Sequence, residues 1–427
     1  MREDLLYYVW KNQKFQKVGL RSTANEVVEI ITPGQLNTSS GPDFFNARIR
    51  IGNQQWAGNV EIHVKSSHWY THGHETDPNY DSIILHVVWE DDVAIYRKNG
   101  NLIPTLSLKK YIPLALLDSY DELLHKSNRK FINCEKDSST VKDIIWLQWH
   151  ERLFVERLEQ KSLHISSLRQ KTKNDWEGIL FQFLMKSFGL DKNGEAFRAM
   201  AAHLSTSVFK KISSNVLQLE SMFFGLAGFL DEPDILDSYY IQLRKEYLFL
   251  SHKYRIPSFE SAKPVFFGLR PSNFPTIRLS QLAHVFSKSS NLFAQVMDAK
   301  NIQDYYDIFQ VSASTYWDSH YTFEKESKKS KKTVTKNFVH LLLINAIIPI
   351  RFSYNKFLGK MELESLLEVM QQLPFEKNRI TKGFDSIGVT SKSAFDSQAK
   401  IQLYHNYCKA NKCLQCHIGI HLLNRKN

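Results

Sequence analysis

The densest set of groups able to do chemistry lies between Asp43 and His86. In GNVEIHVK, Glu61, His63 and Lys65 stand two residues apart. On a β-strand a carboxylate, an imidazole and an ammonium therefore share one face, and Val60, Ile62 and Val64 share the core-facing one. Asp43 opens the preceding apolar run after Gly41-Pro42, and antiparallel pairing through a turn at Gly52-Asn53 returns that run alongside Glu61. Two carboxylates converging from neighbouring strands repel unless a cation lies between them. That points to Mg²⁺ or Mn²⁺ on Asp43 and Glu61, with His63 as general base or third ligand. His72, His74 and Asp77 follow in a turn-rich link. Glu61, His63, His72 and His74 also compose a histidine-carboxylate set of the zinc type, suited to a hydrolase of a small substrate. His86 interrupts an apolar run and needs a buried hydrogen-bond partner.

A second constellation closes the chain. Cys408, Cys413 and Cys416 are spaced C-x4-C-x2-C, with His405, His417 and His421 around them. Three thiolates so close together suit zinc or an iron-sulfur cluster, with Cys134, the one other cysteine, or a histidine as fourth ligand. Four cysteines are too few to frame a chain of this length with disulfides. Cys413 to His417 also fits the C-x-x-C-H haem pattern, which requires export. The acidic start, Glu3-Asp4, leading into an amphipathic stretch, argues against a secretory signal, so a cytoplasmic protein is expected.

These groups need elements to hold them. Residues 4–11 read as a helix, with period-two runs at 26–31, 44–51, 56–65 and 82–89 and a hairpin turn at Asn99-Gly100. From about 113 onward apolar residues recur at helical spacing, as at 144–163, 176–188, 195–207, 216–226, 238–251 and 338–348. The expected class is α+β: an α/β domain at 1–112, a helical domain at 113–400, and a cysteine-rich metal-binding segment at 401–427. Of 427 residues, 43% are hydrophobic, which excludes a disordered chain. The longest apolar run, 341–350, holds Asn345 and Pro349 and falls short of the roughly 18 residues of a membrane span. A net charge of +11 favours nucleic acid as partner. Arg270 and Arg278, in the proline-punctuated stretch 264–284, and the lysine run at 325–336 are candidate phosphate contacts, and the oligomeric state stays open.

The order helix, three strands, link, strand, with Pro42-Asp43 at the second strand and Glu61-x-His63 on the third, resembles the core of the PD-(D/E)xK nuclease superfamily. The resemblance implies a restriction-endonuclease-like α/β domain in which Asp43 and Glu61 hold Mg²⁺ and an acid such as Glu3 or Glu26 assists. His63 stands where that family has lysine, and Lys65 lies one strand step further on. Some nucleases of that superfamily carry an iron-sulfur staple built from a distant cysteine and a C-terminal trio. Here, however, Cys134 follows the core instead of preceding it. Through GPDFFNARI, WAGNVEIHVKSSHW, HGHETDPNYDSIILHVVW, GLRPSNFPTIRLSQLA and YCKANKCLQCHIG, the chain is also similar nearly end to end to the domain-of-unknown-function 2851 family, which brings no reaction. The expected function is a metal-dependent nuclease. The alternatives are a non-enzymatic nucleic-acid-binding or scaffolding protein with a structural metal staple, and a zinc-dependent hydrolase of a small substrate.

Overall fold

Alternation of buried and exposed side chains shapes Phe44–Ile51, where Ala47, Ile49 and Ile51 face inward and Arg48 and Arg50 face out. In the computed structural model, which describes residues 2–124, 131–259, 263–289, 291–360 and 362–425, this run is β3 of a mixed sheet. Its unit begins with helix α1 (Glu3–Lys11), then β1 (Val28–Thr32), β2 (Gln35–Leu36), β3 and β4 (Gln54–Lys65). A short helix α2 (His68–Thr71) and a turn at Pro78–Tyr80 lead to β5 (Ile83–Glu90) and β6 (Thr105–Ser107), and α3 (Leu114–Leu124) follows. The strand order is β1-β3-β4-β5-β6, with β2 on the start of β3. Pairings from β1 to β4 are antiparallel, and those from β4 to β6 are parallel. A parallel pair needs a crossover, and the link 66–82 that supplies it carries the histidines.

One irregularity in β3 decides where Asp43 points. Phe44 pairs with Val60 and Ala47 with Gly58, so three steps on β3 match two on β4. Asn46 absorbs the extra residue with φ near +59°. A slip of one residue turns every side chain beyond it to the opposite face. Phe44 thus joins the core while Asp43 turns to the face of Glu61 and His63.

One face of the sheet packs Phe44, Ile49, Val60, Ile62, Leu85 and Val87 against Leu5, Leu6, Val9 and Trp10 of α1, with Leu116, Tyr120, Leu414 and Leu423 in the same core. This explains why the sheet-bearing unit reaches past residue 112 and takes in the chain's end. It comprises Met1–Trp149, Lys382–Val389 and Gln402–Asn427. The expected hairpin turn forms at Gly100, but its arms meet only in the isolated bridge Tyr96–Leu102, and Thr105–Ser107 pairs with β5 instead.

The second unit, His150–Thr381 and Thr390–Ile401, is larger and mainly helical. Trp176–Phe188 and Val216–Leu226 form over the spans their periodicity predicts. Phe188, Phe197, Phe223, Phe224 and Trp317 build its core. The run Lys336–Phe357 forms one helix with a π-turn at Leu343–Ile347. Among the described residues this helix alone is long and apolar enough to cross a membrane, and 67% of its apolar window is buried inside the protein. The chain is therefore α+β, a mixed sheet with helices followed by a mostly helical region.

Candidate metal centre

Register places the donors. Glu61 pairs with His86 and His63 with Val88 across the parallel β4–β5 ladder. The face that carries Glu61, His63 and His86 is covered by the crossover, whose Trp69 packs with Ile83, Ile95 and Ile103. Glu61, His63 and His86 are buried, at 5%, 2% and 0% exposure, whereas His72 on the link is exposed and keeps the group in reach of solvent.

Asp43 and Glu61 do meet. The Asp43 backbone N–H donates to Glu61 Oε2 at 3.1 Å, Asp43 Oδ2 accepts from the Ile62 N–H at 2.9 Å, and Tyr7 donates to Asp43 Oδ1 at 3.0 Å. Burial, and then the Glu61 charge, raise the Asp43 carboxyl to about 7, while the Ile62 and Tyr7 hydrogen bonds oppose the rise.

The imidazoles gather on the other side of Glu61. His63 Nε2 lies 3.1 Å from His72 Nδ1 and 3.7 Å from Glu61 Oε1, and His74 Nε2 lies 3.4 Å from that same oxygen. One donor atom each from His63, His72 and His74 falls within 4.8 Å of the others. Around a tetrahedral ion with metal-nitrogen bonds near 2.0–2.1 Å, neighbouring ligand atoms stand about 3.4 Å apart. The contacts of 3.1, 3.4 and 3.7 Å bracket that edge. His74 Nε2 is buried without a hydrogen-bond partner, a vacancy that a ligated cation would satisfy. Burial, then the surrounding imidazoles of His86, His72, His74 and His68, push His63 down to about 2, so it is neutral and offers a lone pair. His86 Nε2 meets His63 Nδ1 at 2.9 Å, which fixes the ring from behind; burial first pushes His86 down to about 3.

Other expected participants stand apart. Lys65 is exposed at the end of β4, opposite Glu90. Asp77 caps its own turn by accepting the Asn79 N–H at 2.9 Å. Glu3 of α1 lies 3.7 Å from His68 and adds to the negative field at Asp43, whereas Glu26 sits by the Gly52 turn at the far end of the β3–β4 pair. Arg270 is exposed, but Arg278 is buried. The Arg278 guanidinium donates to Gln281 at 2.8 Å and Asn273 at 2.6 Å and covers the Phe338 ring, which turns it away from solvent. In the lysine run, Lys332 is likewise turned inward, donating to the carbonyls of Asp318 and Ser330. Tyr7, His68 and Tyr80 are the site residues that sequence reasoning missed. A tyrosine on the core-facing side of α1 is indistinguishable by spacing from packing. Tyr80, stacked on His74 at 3.8 Å between ring centres, could be suspected only from its closeness to the histidine link.

None of the four cysteines is in a disulfide, and all four border one cavity in the first unit. The thiol of Cys408 is raised by burial and then by Cys134, Cys416 and Cys413.

A family model described as protein of unknown function (DUF2851) matches residues 3–379. No curated protein and no solved structure matches the chain.

Proposed function

The chain belongs to the DUF2851 family of proteins of unknown function, and for it we propose a metal-dependent hydrolase that cleaves phosphodiester bonds of nucleic acid at the histidine-carboxylate centre of the first unit. The observation that carries this reading is the trio of His63, His72 and His74, one donor atom of each within 4.8 Å of the others, with Glu61 Oε1 3.4 Å from His74 Nε2 and 3.7 Å from His63 Nε2. A nitrogen-rich donor set suits zinc or another transition metal better than Mg²⁺, which prefers oxygen. The expectation of Mg²⁺ on Asp43 and Glu61 therefore gives way to a centre in which Asp43 stands behind the ligands.

An ion held there would polarise a phosphoryl oxygen and acidify a bound water. The chain's own groups divide the remaining work. His86 orients His63. The Asp43 backbone N–H holds Glu61 Oε2, leaving Oε1 turned to the imidazoles. The Asp43 carboxyl, tethered by Tyr7 and Ile62 and raised to about 7, is suited to accept a proton. Two further features support nucleic acid as substrate: the net charge of +11, and the element order with Asp43 and Glu61 on adjacent strands, which resembles the nuclease core.

The test is cleavage of single- and double-stranded DNA and RNA by zinc- or manganese-loaded protein, beside His72→Ala/His74→Ala. Metal-dependent cleavage that the double variant loses while its circular dichroism is unchanged is the expected result. Equal cleavage by both proteins would reject the site. Metal binding with hydrolysis of small esters alone would favour the small-substrate reading, for which the nitrogen-rich donors are the specific argument.

A further inference from the structure

The chain's four cysteines come from two distant places, position 134 and the segment 408–416. In the first unit they border one cavity of about 20 Å³, together with Leu123, Asn133, Tyr407 and Gly419. That is room for about one water-sized sphere. We propose that Cys134, Cys408, Cys413 and Cys416 together hold a single thiolate-bound zinc ion, distinct from the histidine centre and independent of the hydrolase reading.

Chance burial does not account for the surroundings. Cys408 ends a π-turn (Tyr404–Cys408), Cys413 opens a 3₁₀ turn (Cys413–Gln415), and Cys416 precedes the helix His417–Leu423. The backbone N–H groups of Ile418 and Gly419 are directed at the Cys416 sulfur, and Asn133 Nδ2 donates to Cys413 Sγ at 3.3 Å. Sulfur is a weak acceptor as a thiol and a good one as a metal-bound thiolate, so donors aimed at it are what such a centre requires around it. Gly419 makes the arrangement possible, because a Cβ there would fall 2.2 Å from the Cys413 carbonyl oxygen. The cavity's sulfur donors are the four cysteines, and among the described residues no carboxylate or imidazole borders it, which selects a soft cation over a hard one.

The sulfurs stand wider apart than the imidazole donors. Among the described residues the one trio within 4.8 Å is His63, His72 and His74. Holding one ion requires the thiols to draw in by rotation about their Cα–Cβ bonds. A dication taken up by four thiols releases four protons and leaves a tetrathiolate centre of charge −2, which the Asn133, Ile418 and Gly419 donors face. The centre would tie Cys134 to the chain's last segment, a loop long enough for the tie to matter to stability.

The test uses the full chain, purified without chelator or nickel, as wild type and as His72→Ala/His74→Ala to silence the first site. Zinc, iron and acid-labile sulfide are measured per chain before and after titration with a mercurial thiol reagent. The expected result is one zinc per chain in His72→Ala/His74→Ala, released as the thiols are modified and lost when Cys413→Ser/Cys416→Ser is added to that variant; the wild type carries the same thiol-released zinc beside any metal on its histidines. Iron with matching sulfide in place of zinc would overturn the single-ion centre. Should the serine variant fail to fold, release by the mercurial still decides. A natively folded His72→Ala/His74→Ala protein whose four thiols react freely and which carries no zinc overturns the proposal, as does zinc in that variant that survives full thiol modification.

Discussion

Replacing Asp43 with asparagine should stabilise the first unit at high pH once metal is stripped with a chelator, and should leave it unchanged in acid. The Asp43 carboxyl rises from its ordinary 3.8 to about 7 because it is partly buried beside Glu61. The unfolded chain therefore releases this proton first. As pH climbs from 3.8 to 7 the native state binds more protons than the unfolded one and loses stability, and above 7 the full penalty remains. At about 1.4 kcal/mol per pH unit the rise amounts to about 4 kcal/mol. Partial solvation of Asp43, and the loss of one of the two hydrogen bonds from Tyr7 and Ile62 because an amide has a single acceptor oxygen, reduce the expected gain to about 2 kcal/mol at pH 8.5. Because the chain has two units, a global melt would mix two transitions. Hydrogen exchange of β4 amides, Ile62 included, isolates the first. The variant's protection should exceed wild type at pH 8.5 and match it near pH 4, and added zinc should erase the difference by compensating the carboxylates. An offset that does not change with pH, or a variant less stable at pH 8.5, would refute the claim that the two acids are crowded in the metal-free site.

His86→Phe keeps the volume of a buried ring but removes the 2.9 Å contact to His63. Zinc affinity measured by competition with a chelating dye should fall about 10- to 100-fold, the usual cost of losing a group that orients a ligand. Unchanged affinity would deny His86 that role. In the second unit Lys161, which donates to the Ile344 carbonyl at 3.1 Å, is pushed down to about 7, first by burial and then by Arg157. Its charged form is costly in the folded state, so the penalty is whole below pH 7, shrinks from there to 10.5 and is gone above. Lys161→Met should accordingly stabilise this unit by about 2 kcal/mol at pH 6 and by nothing near pH 10.5, after allowing for the lost hydrogen bond. Urea unfolding at the two pH values reads this, and equal offsets at both would count against a charged, buried Lys161.

Periodicity made the elements legible: β3, Trp176–Phe188 and Val216–Leu226 begin and end where their apolar spacing changes. Boundaries set by tertiary packing were not legible. Nothing local in 401–427 announces that Leu414 and Leu423 complete the core under the sheet, since burial in a distant cluster leaves no pattern in the neighbouring residues. The convergence of Asp43 with Glu61 was anticipated by simple pairing. Strict alternation would have turned Asp43 inward beside Ala47, and the bulge at Asn46 that reverses it carries only the weak signal of an asparagine's tolerance for positive φ.

Under the proposed reading, the histidine at position 63 is what sets the site apart from an oxygen-ligated nuclease. A lysine there would put a positive charge next to any ion, and the neighbouring acids would have to bind the metal by themselves. A neutral imidazole reverses this logic: it contributes a lone pair, and it draws on a partner, His86, that a lysine could not use in the same way. The crossover then completes the set, because the short helix α2 ends at Thr71 and so delivers His72 and His74 to the edge of β4. The Asp43 carboxylate, which is not a ligand in the proposed reading, accepts hydrogen bonds from the Tyr7 hydroxyl and the Ile62 N–H, and the Asp43 backbone N–H holds Glu61. If this exchange of roles is right, His63→Lys should weaken zinc binding at the site far more than it weakens the binding of magnesium or manganese. The ratio of those affinities, measured by calorimetry on the folded variant, tests the assignment of ligands independently of any substrate. A proportional loss for all three metals would mean that position 63 contributes only packing.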